Sequence, residues 1–233
     1  MSPVRRRDQL RPVKIHRNYT RSTPGAVLIE MGRTRVICTA AVGEGVPSFL
    51  RGSGTGWVTA EYAMLPGSTR ERKPRGQDGR GSEIQRLIGR SLRAVVDRTL
   101  LGERTIFVDC DVIEADGGTR AASVTGACVA LADALESLKT AGKIQDSPLR
   151  ELVAAVSVGV IGGKMVLDLD YVLDSSAQVD MNIVMTESGK LVEVQGTAES
   201  RPFDLVTMNR LVKLAGRGVR RLIEVQKRVL SGR

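Results

Sequence analysis

The stretch TIFVDCDVIEADGGTRAASVTGACVALADAL, residues 105–135, changes its hydrophobic period once, and that change decides the fold. Over residues 105–113 the side chains alternate, with Asp109 and Asp111 between apolar neighbours, as a strand with one covered face requires. After Gly117-Gly118 the apolar residues Val124, Val129, Leu131 and Leu135 recur at helical spacing. The segment therefore reads as strand, glycine turn and apolar helix.

Upstream, Val27 with Ile29, Val36 with Cys38, and Trp57 with Thr59 alternate, and Gly32 marks a hairpin turn. From Ser82 the period becomes helical through Ile84, Leu87, Ile88, Leu92, Val95 and Val96, with Ser82 and Gln85 spaced as a capping box. Arg86, Arg90 and Arg93 fall on the opposite face of this helix, as a solvated stripe. Downstream, two hairpins turn at Gly162-Gly163 and Ser188-Gly189, and a basic helix starts near Pro202. This order predicts a mixed α+β sandwich of helices on sheet, one compact domain over residues 1–233, and not the regular βαβ alternation of a dinucleotide-binding fold.

The 35 Lys and Arg against 26 Asp and Glu leave a net charge of +9, a balance suited to a polyanion. Residues 1–21 carry +6 and residues 217–233 carry +5, so the chain between them is slightly acidic. Aromatic residues are only 3%, which disfavours base-stacking platforms and directs any RNA contact to phosphates. Cys38, Cys110 and Cys128 are odd in number and lack metal-ligand spacing, so they read as small core residues. No secretory segment and no run of about 18 apolar residues is visible, so a cytoplasmic protein with no membrane partner is expected.

His16 is the only histidine, which removes the Ser-His-Asp triad, the two-histidine acid–base pair and His-rich zinc hydrolysis. Catalysis in such a chain falls to carboxylates, arginines and a hard metal ion. Asp116-Gly117-Gly118-Thr119-Arg120 suits an anion: glycines let consecutive N–H groups converge, the helix N-terminus adds positive partial charge, and Thr119 and Arg120 supply donors. Arg80, ahead of another helix start, is a second candidate. Alternation sets Asp168 and Asp170 on the polar face of one strand and Asp180 with Asn182 on the next, with Asp174 between them; clustered carboxylates of this kind suit Mg²⁺. Turn and cap roles for Asp174 and Asp180 remain open at this level.

The segments Arg11-Pro12-Val13, Gly56-Trp57-Val58-Thr59-Ala60-Glu61-Tyr62, Glu83-Ile84-Gln85-Arg86-Leu87-Ile88-Gly89-Arg90, Gly117-Gly118-Thr119-Arg120, Val179-Asp180-Met181-Asn182 and Glu193-Val194-Gln195-Gly196-Thr197-Ala198-Glu199 together resemble the ribonuclease PH family across essentially the whole chain. That resemblance implies a ribonuclease PH-type βαβα fold of mixed sheets packed with helices. It implies inorganic phosphate as co-substrate, held by Arg80, Gly118, Thr119 and Arg120, and catalysis by Asp174 and Asp180 with Mg²⁺. It further implies RNA guidance by Arg72 and Arg75, trimming of tRNA 3′ ends with release of nucleoside diphosphates, and a homohexamer built as a trimer of dimers. A catalytically silent, RNA-binding ring subunit of an exosome-like assembly is the competing reading. Two departures stand out: the loop between Met64 and Arg80 is shorter than the family leads one to expect, and Leu173 stands where a glutamate is expected.

Overall fold

The computed structural model describes residues 5–76 and 79–232, so Gln77 and Asp78 of the 67–81 loop, like Arg233 of the basic tail, lie outside the described residues. Strands β1 (Val13–Arg17), β2 (Gly25–Met31), β3 (Thr34–Glu44), β4 (Trp57–Met64) and β5 (Arg104–Glu114) form one sheet in the order β1-β2-β3-β5-β4. All its pairs are antiparallel except β4–β5, which is parallel because helices α1 (Gly79–Arg93) and α2 (Arg98–Leu101) cross between those strands. Strands β6 (Val153–Ile161), β7 (Lys164–Leu167), β8 (Val179–Thr186) and β9 (Leu191–Ala198) form an antiparallel second sheet in the order β7-β6-β8-β9. Helix α4 (Tyr171–Ser175) separates β7 from β8, and α5 (Leu205–Leu230) closes the fold.

The layering follows from helix α3 (Thr119–Thr140), which is apolar nearly all round and can be stable only when covered on all sides. It lies between the sheets, against β2 and β3 on one side and β6 on the other, and a single apolar core runs through both. By length and average composition α3 is apolar enough to cross a membrane, although it is no unbroken apolar run, and 83% of its most apolar window is buried inside the molecule. The approach to β2 is close: a Cβ on Gly126 would stand 2.7 Å from Ile29 Cγ2. All three cysteines are buried and unbridged, and burial pushes the Cys128 thiol up to about 12.

The hairpins at Gly32, Gly162-Gly163 and Ser188-Gly189 form where expected. Three element boundaries differ. Helix α1 already runs at Gly79, so Ser82 sits inside it and does not cap it. Helix α5 starts at Leu205, capped by the Asp204 carboxylate, which accepts from Thr207 N at 2.7 Å. Strand β7 stops at Leu167, so Asp168 and Asp170 lie on no strand. Nor are the arginines of α1 a free solvated stripe: Arg90 pairs with Glu193 at 2.8 Å, and Arg93 lies 4.5 Å over the Trp57 ring while donating to Val58 O.

Candidate active site

Strand β5 leaves its sheet at Glu114, and the chain reaches α3 through two glycines in the left-handed region, Gly117 at φ 76° and Gly118 at φ 69°. Other residues adopt that region only at a cost. Space imposes a second requirement, because a Cβ on Gly117 would fall 2.5 Å from the backbone carbon of Asp170. The glycine turn is thereby pressed against residues 169–171, which lead into α4. Gly118 caps α3 without any side-chain cap, so the first N–H groups of a 22-residue helix point outward beside Thr119 and Arg120.

This turn is held by a buried ion pair that joins the two halves of the chain. Asp168 is fully buried, in the left-handed region at φ 58°. Its Oδ2 accepts from Arg11 N at 2.7 Å and Arg11 Nε at 3.0 Å, its Oδ1 accepts from Arg11 Nη2 at 2.7 Å, and its backbone oxygen accepts from Arg5. Arg11 also donates to Asp116 O at 2.7 Å. Thr34 completes the clamp, donating to Gly117 O at 2.6 Å and accepting from Asp116 N at 2.9 Å. Asp168 is thus a structural anion, pulled out of strand geometry by Arg11, and Asp170 is the N-cap of α4, accepting from Leu173 N at 3.0 Å. The expectation of both on one polar strand face is corrected accordingly.

Beyond the clamp, the remaining candidates converge. Asp174 is carried by α4, whose orientation is fixed by Leu173 packing near Val166, Leu169 and Ala177. Leucine at position 173 is an anchor here and not only a missing carboxylate. Asp174 is held above the ordinary carboxylate range, first by burial and then by the Asp180 charge, while Arg80 and Arg120 oppose the shift and Glu199 adds to it. Five side chains from separate parts of the chain therefore share one field. Asp180 is half-buried near the start of β8, opposite Gly159 and Thr197, and its Oδ1 is shielded from solvent with no hydrogen-bond partner among the described residues.

On the α3 side, Thr119 is buried and its Oγ1 accepts from the Tyr62 hydroxyl at 2.9 Å. Because Tyr62 supplies that proton, the Thr119 hydrogen is left to donate elsewhere. Burial raises the Tyr62 phenol, against the lowering influence of Arg80 and Arg120. Arg120 donates to Gln195 Oε1 and reaches Glu83 at 3.5 Å, while Gln195 Nε2 donates to Glu83 at 2.6 Å. Arg80, in the first turn of α1, lines a small cavity of about 140 Å³ with Tyr62, Lys73 and Arg75.

The sequence of each half matches a domain of one family: residues 9–135 match the 3′ exoribonuclease family, domain 1, and residues 151–218 match domain 2. The chain belongs to the 3′ exoribonuclease family. Its mixed α+β fold is that of the ribonuclease PH-type proteins of this family. The fold is similar to that of an Archaeoglobus fulgidus exosome chain, from a structure with RNA bound to its active site, with a TM-score of 0.82 at 22% identity over 94% of this chain and 90% of that one. It is similar to rice (Oryza sativa) Rrp46, with a TM-score of 0.82 at 18% identity over 98% of each chain. A chain of an archaeal exosome core gives a TM-score of 0.78 at 21% identity, over 96% of this chain and 89% of that one.

Within this family fold, Arg80, Thr119, Arg120, Asp174 and Asp180 gather at one place, with Gly118 capping the helix beneath them. Arg75 shares the Arg80 cavity, whereas Arg72 is exposed and does not line it. Tyr62, Gln195, Glu83, Glu199 and the Arg11–Asp168 pair escaped the reading of sequence. Tyr62 was legible as one position of an alternating strand, and Gln195 and Glu199 as parts of a family motif, but nothing local marked their partners. The two carboxylates suit a hard divalent ion, since Mg²⁺ takes one or two carboxylates plus water and substrate phosphate, and the unpartnered Asp180 Oδ1 is a free oxygen ligand. Among the described residues no group of three or more His, Cys, Asp or Glu forms a larger metal cage.

Proposed function

We propose that this chain is a phosphate-dependent 3′→5′ exoribonuclease that shortens RNA, the 3′ ends of tRNA precursors being the expected substrate, and releases nucleoside diphosphates. The observation that carries this reading is the convergence of two arginines, a helix N-terminus and two carboxylates, one with an unpartnered buried oxygen. Inorganic phosphate is held by Arg80, Arg120, Thr119 Oγ1 and the amides after Gly118. One of its oxygens attacks the last phosphodiester in line, a new P–O bond forms, and the P–O3′ bond of the penultimate nucleotide breaks. The terminal nucleotide leaves as its diphosphate, and the new RNA end takes a proton on O3′. Phosphate needs no imidazole base, which agrees with a site devoid of histidine.

Asp174 and Asp180 would hold Mg²⁺, whose bound charge would offset negative charge developing on the departing oxygen. The arginines offset the charge around phosphorus. Because a phosphoanhydride is retained in the product, the same residues run the reverse addition of nucleotides from diphosphates. Arg75, beside Arg80, and Arg72 guide the RNA. The protein works in a cytoplasmic setting as a homohexamer, a trimer of dimers, with RNA as its partner.

A second reading, a catalytically silent RNA-binding ring subunit, is favoured by the exosome chains among the similar folds. Incubating the purified protein with RNA and inorganic phosphate separates the two. Nucleoside diphosphates are expected from the enzyme. RNA that is bound but returned intact would assign the silent role.

A further inference from the structure

Arg5 and Arg11 serve the clamp above, but Arg6, Arg7 and the basic C-terminal helix are not used by it, and the fold brings these together. The N-terminal segment is clamped: Arg7 O accepts from Leu167 N at 2.8 Å, Asp8 O accepts from Arg221 Nη1 at 3.1 Å, and Arg5 is bound to Asp168. So placed, Arg6 and Arg7 line two neighbouring cavities. One, of about 960 Å³, runs along α5 and adds Arg210, Lys213, Arg217 and Arg220. Among the described residues its acidic lining is Asp8 and Glu187, which leaves a net +4; Asp8 pairs with Arg6, and Glu187 with Lys227. The other, of about 560 Å³, adds Arg5 and Arg33 and reaches Asp170 and Leu173, directly before Asp174.

The spacing is that of one helix face. Residues 210, 213, 217 and 220 are exposed, while Leu211, Leu214, Ala215 and Val219 between them are buried. Among the described residues these four cations form no ion pair, in contrast to Arg90, Arg150 or Lys227 elsewhere on the surface. Arg210 acts on the Asp204 carboxylate, but the row keeps an excess of positive charge, whose self-repulsion a bound polyanion removes. Ten residues of helix span about 15 Å, enough to face several phosphates of one strand. Among the described residues the lining offers no aromatic side chain, so it suits phosphates and not bases.

We propose that the exposed face of α5, continued by Arg6 and Arg7, is a binding track for the sugar-phosphate backbone of RNA upstream of the end held at the site. This inference rests on the reading of RNA as the partner, and holds whether or not the site is catalytically active. The track would recognise charge and not sequence, and would favour long RNA over short.

The test uses the full chain with Arg210, Lys213, Arg217 and Arg220 all replaced by glutamine, and a companion in which the three arginines become lysine. Binding of a long structured RNA with a single-stranded 3′ end is measured as a function of salt, beside diphosphate release from a very short oligonucleotide. The glutamine variant is expected to bind the long RNA on the order of tenfold more weakly, with a log-log salt slope flatter by about 0.7 for each phosphate left unneutralised. The lysine companion is expected to keep the slope. Diphosphate release from the oligonucleotide checks the site separately: if the parent protein shows none, the enzymatic reading fails while the slope still tests the track. An unchanged slope in the glutamine variant overturns the proposal. So does loss of assembly by sedimentation at an unchanged slope, which would make the row a docking face for an acidic protein surface, or a lysine companion as impaired as the glutamine variant.

Discussion

Asp180 Oδ1 is shielded from water without a donor among the described residues, and such an oxygen costs free energy until a ligand or ion satisfies it. Its neighbour Asp174 feels that charge and is held above the ordinary carboxylate range. Between the ordinary value and the raised one, the folded protein keeps a proton on Asp174 that the unfolded chain has released, so ionising Asp174 costs stability as pH rises through that window. In the metal-free protein, a carboxyl-carbon NMR titration is expected to place Asp174 above 3.8, and Asp180→Asn is expected to move it down. No movement would mean that burial alone sets Asp174. At the anion side, Arg120→Ala is expected to remove charge-assisted bonds of about 1.5 to 3 kcal/mol each, raising the apparent phosphate KM roughly ten- to a hundredfold at about 1.4 kcal/mol per decade. RNA affinity at saturating phosphate should change little, and steady-state kinetics with varied phosphate reads both.

At the scale of elements, the decisive join is between the glycine turn and α4, and one buried ion pair holds it. Arg11 and Asp168 are both almost wholly shielded. Replacing Arg11 with methionine leaves the Asp168 carboxylate buried beside Arg5 alone, which is expected to cost about 3 to 5 kcal/mol in denaturant unfolding. Because Arg11 also holds Asp116 O, the variant should bind phosphate more weakly even where it remains folded; unfolding curves and phosphate titration check the two effects separately. This pair also marks where sequence stops being legible. The strand, glycine turn and apolar helix over residues 105–135 could be read from periodicity because each element is decided by its own side chains. Leu167 and Leu169 continue that alternation, so Asp168 read as a strand residue. What ends the strand is a residue 157 positions away, Arg11, whose pairing with Asp168 no local pattern records. The same reason hid Tyr62 and Gln195 as supports of Thr119 and Arg120, although Thr119 and Arg120 themselves were marked by the glycines before them.

Over the whole molecule, two sheets and a shared apolar helix bring the N-termini of α1 and α3 toward one end of the second sheet, where β8 begins and β9 ends. The charge asymmetry visible in the sequence acquires a place in three dimensions, though only in part as a polyanion surface: Arg5, Arg11 and Arg17 are committed to Asp168 and Asp133, and Arg6, Arg7 and the α5 row are left outward. Phosphorolysis by this assembly of groups is tested most directly by following a 3′-labelled RNA with the parent protein and with Asp180→Asn, in the presence and absence of inorganic phosphate. The parent is expected to release labelled nucleoside diphosphate only when phosphate is present. Asp180→Asn, folded and still binding RNA, is expected to lose both this release and the reverse addition from diphosphates by one common factor, on the order of a hundredfold or more. Release of monophosphate without added phosphate, no release from the parent protein, or a near-normal rate in Asp180→Asn would contradict it.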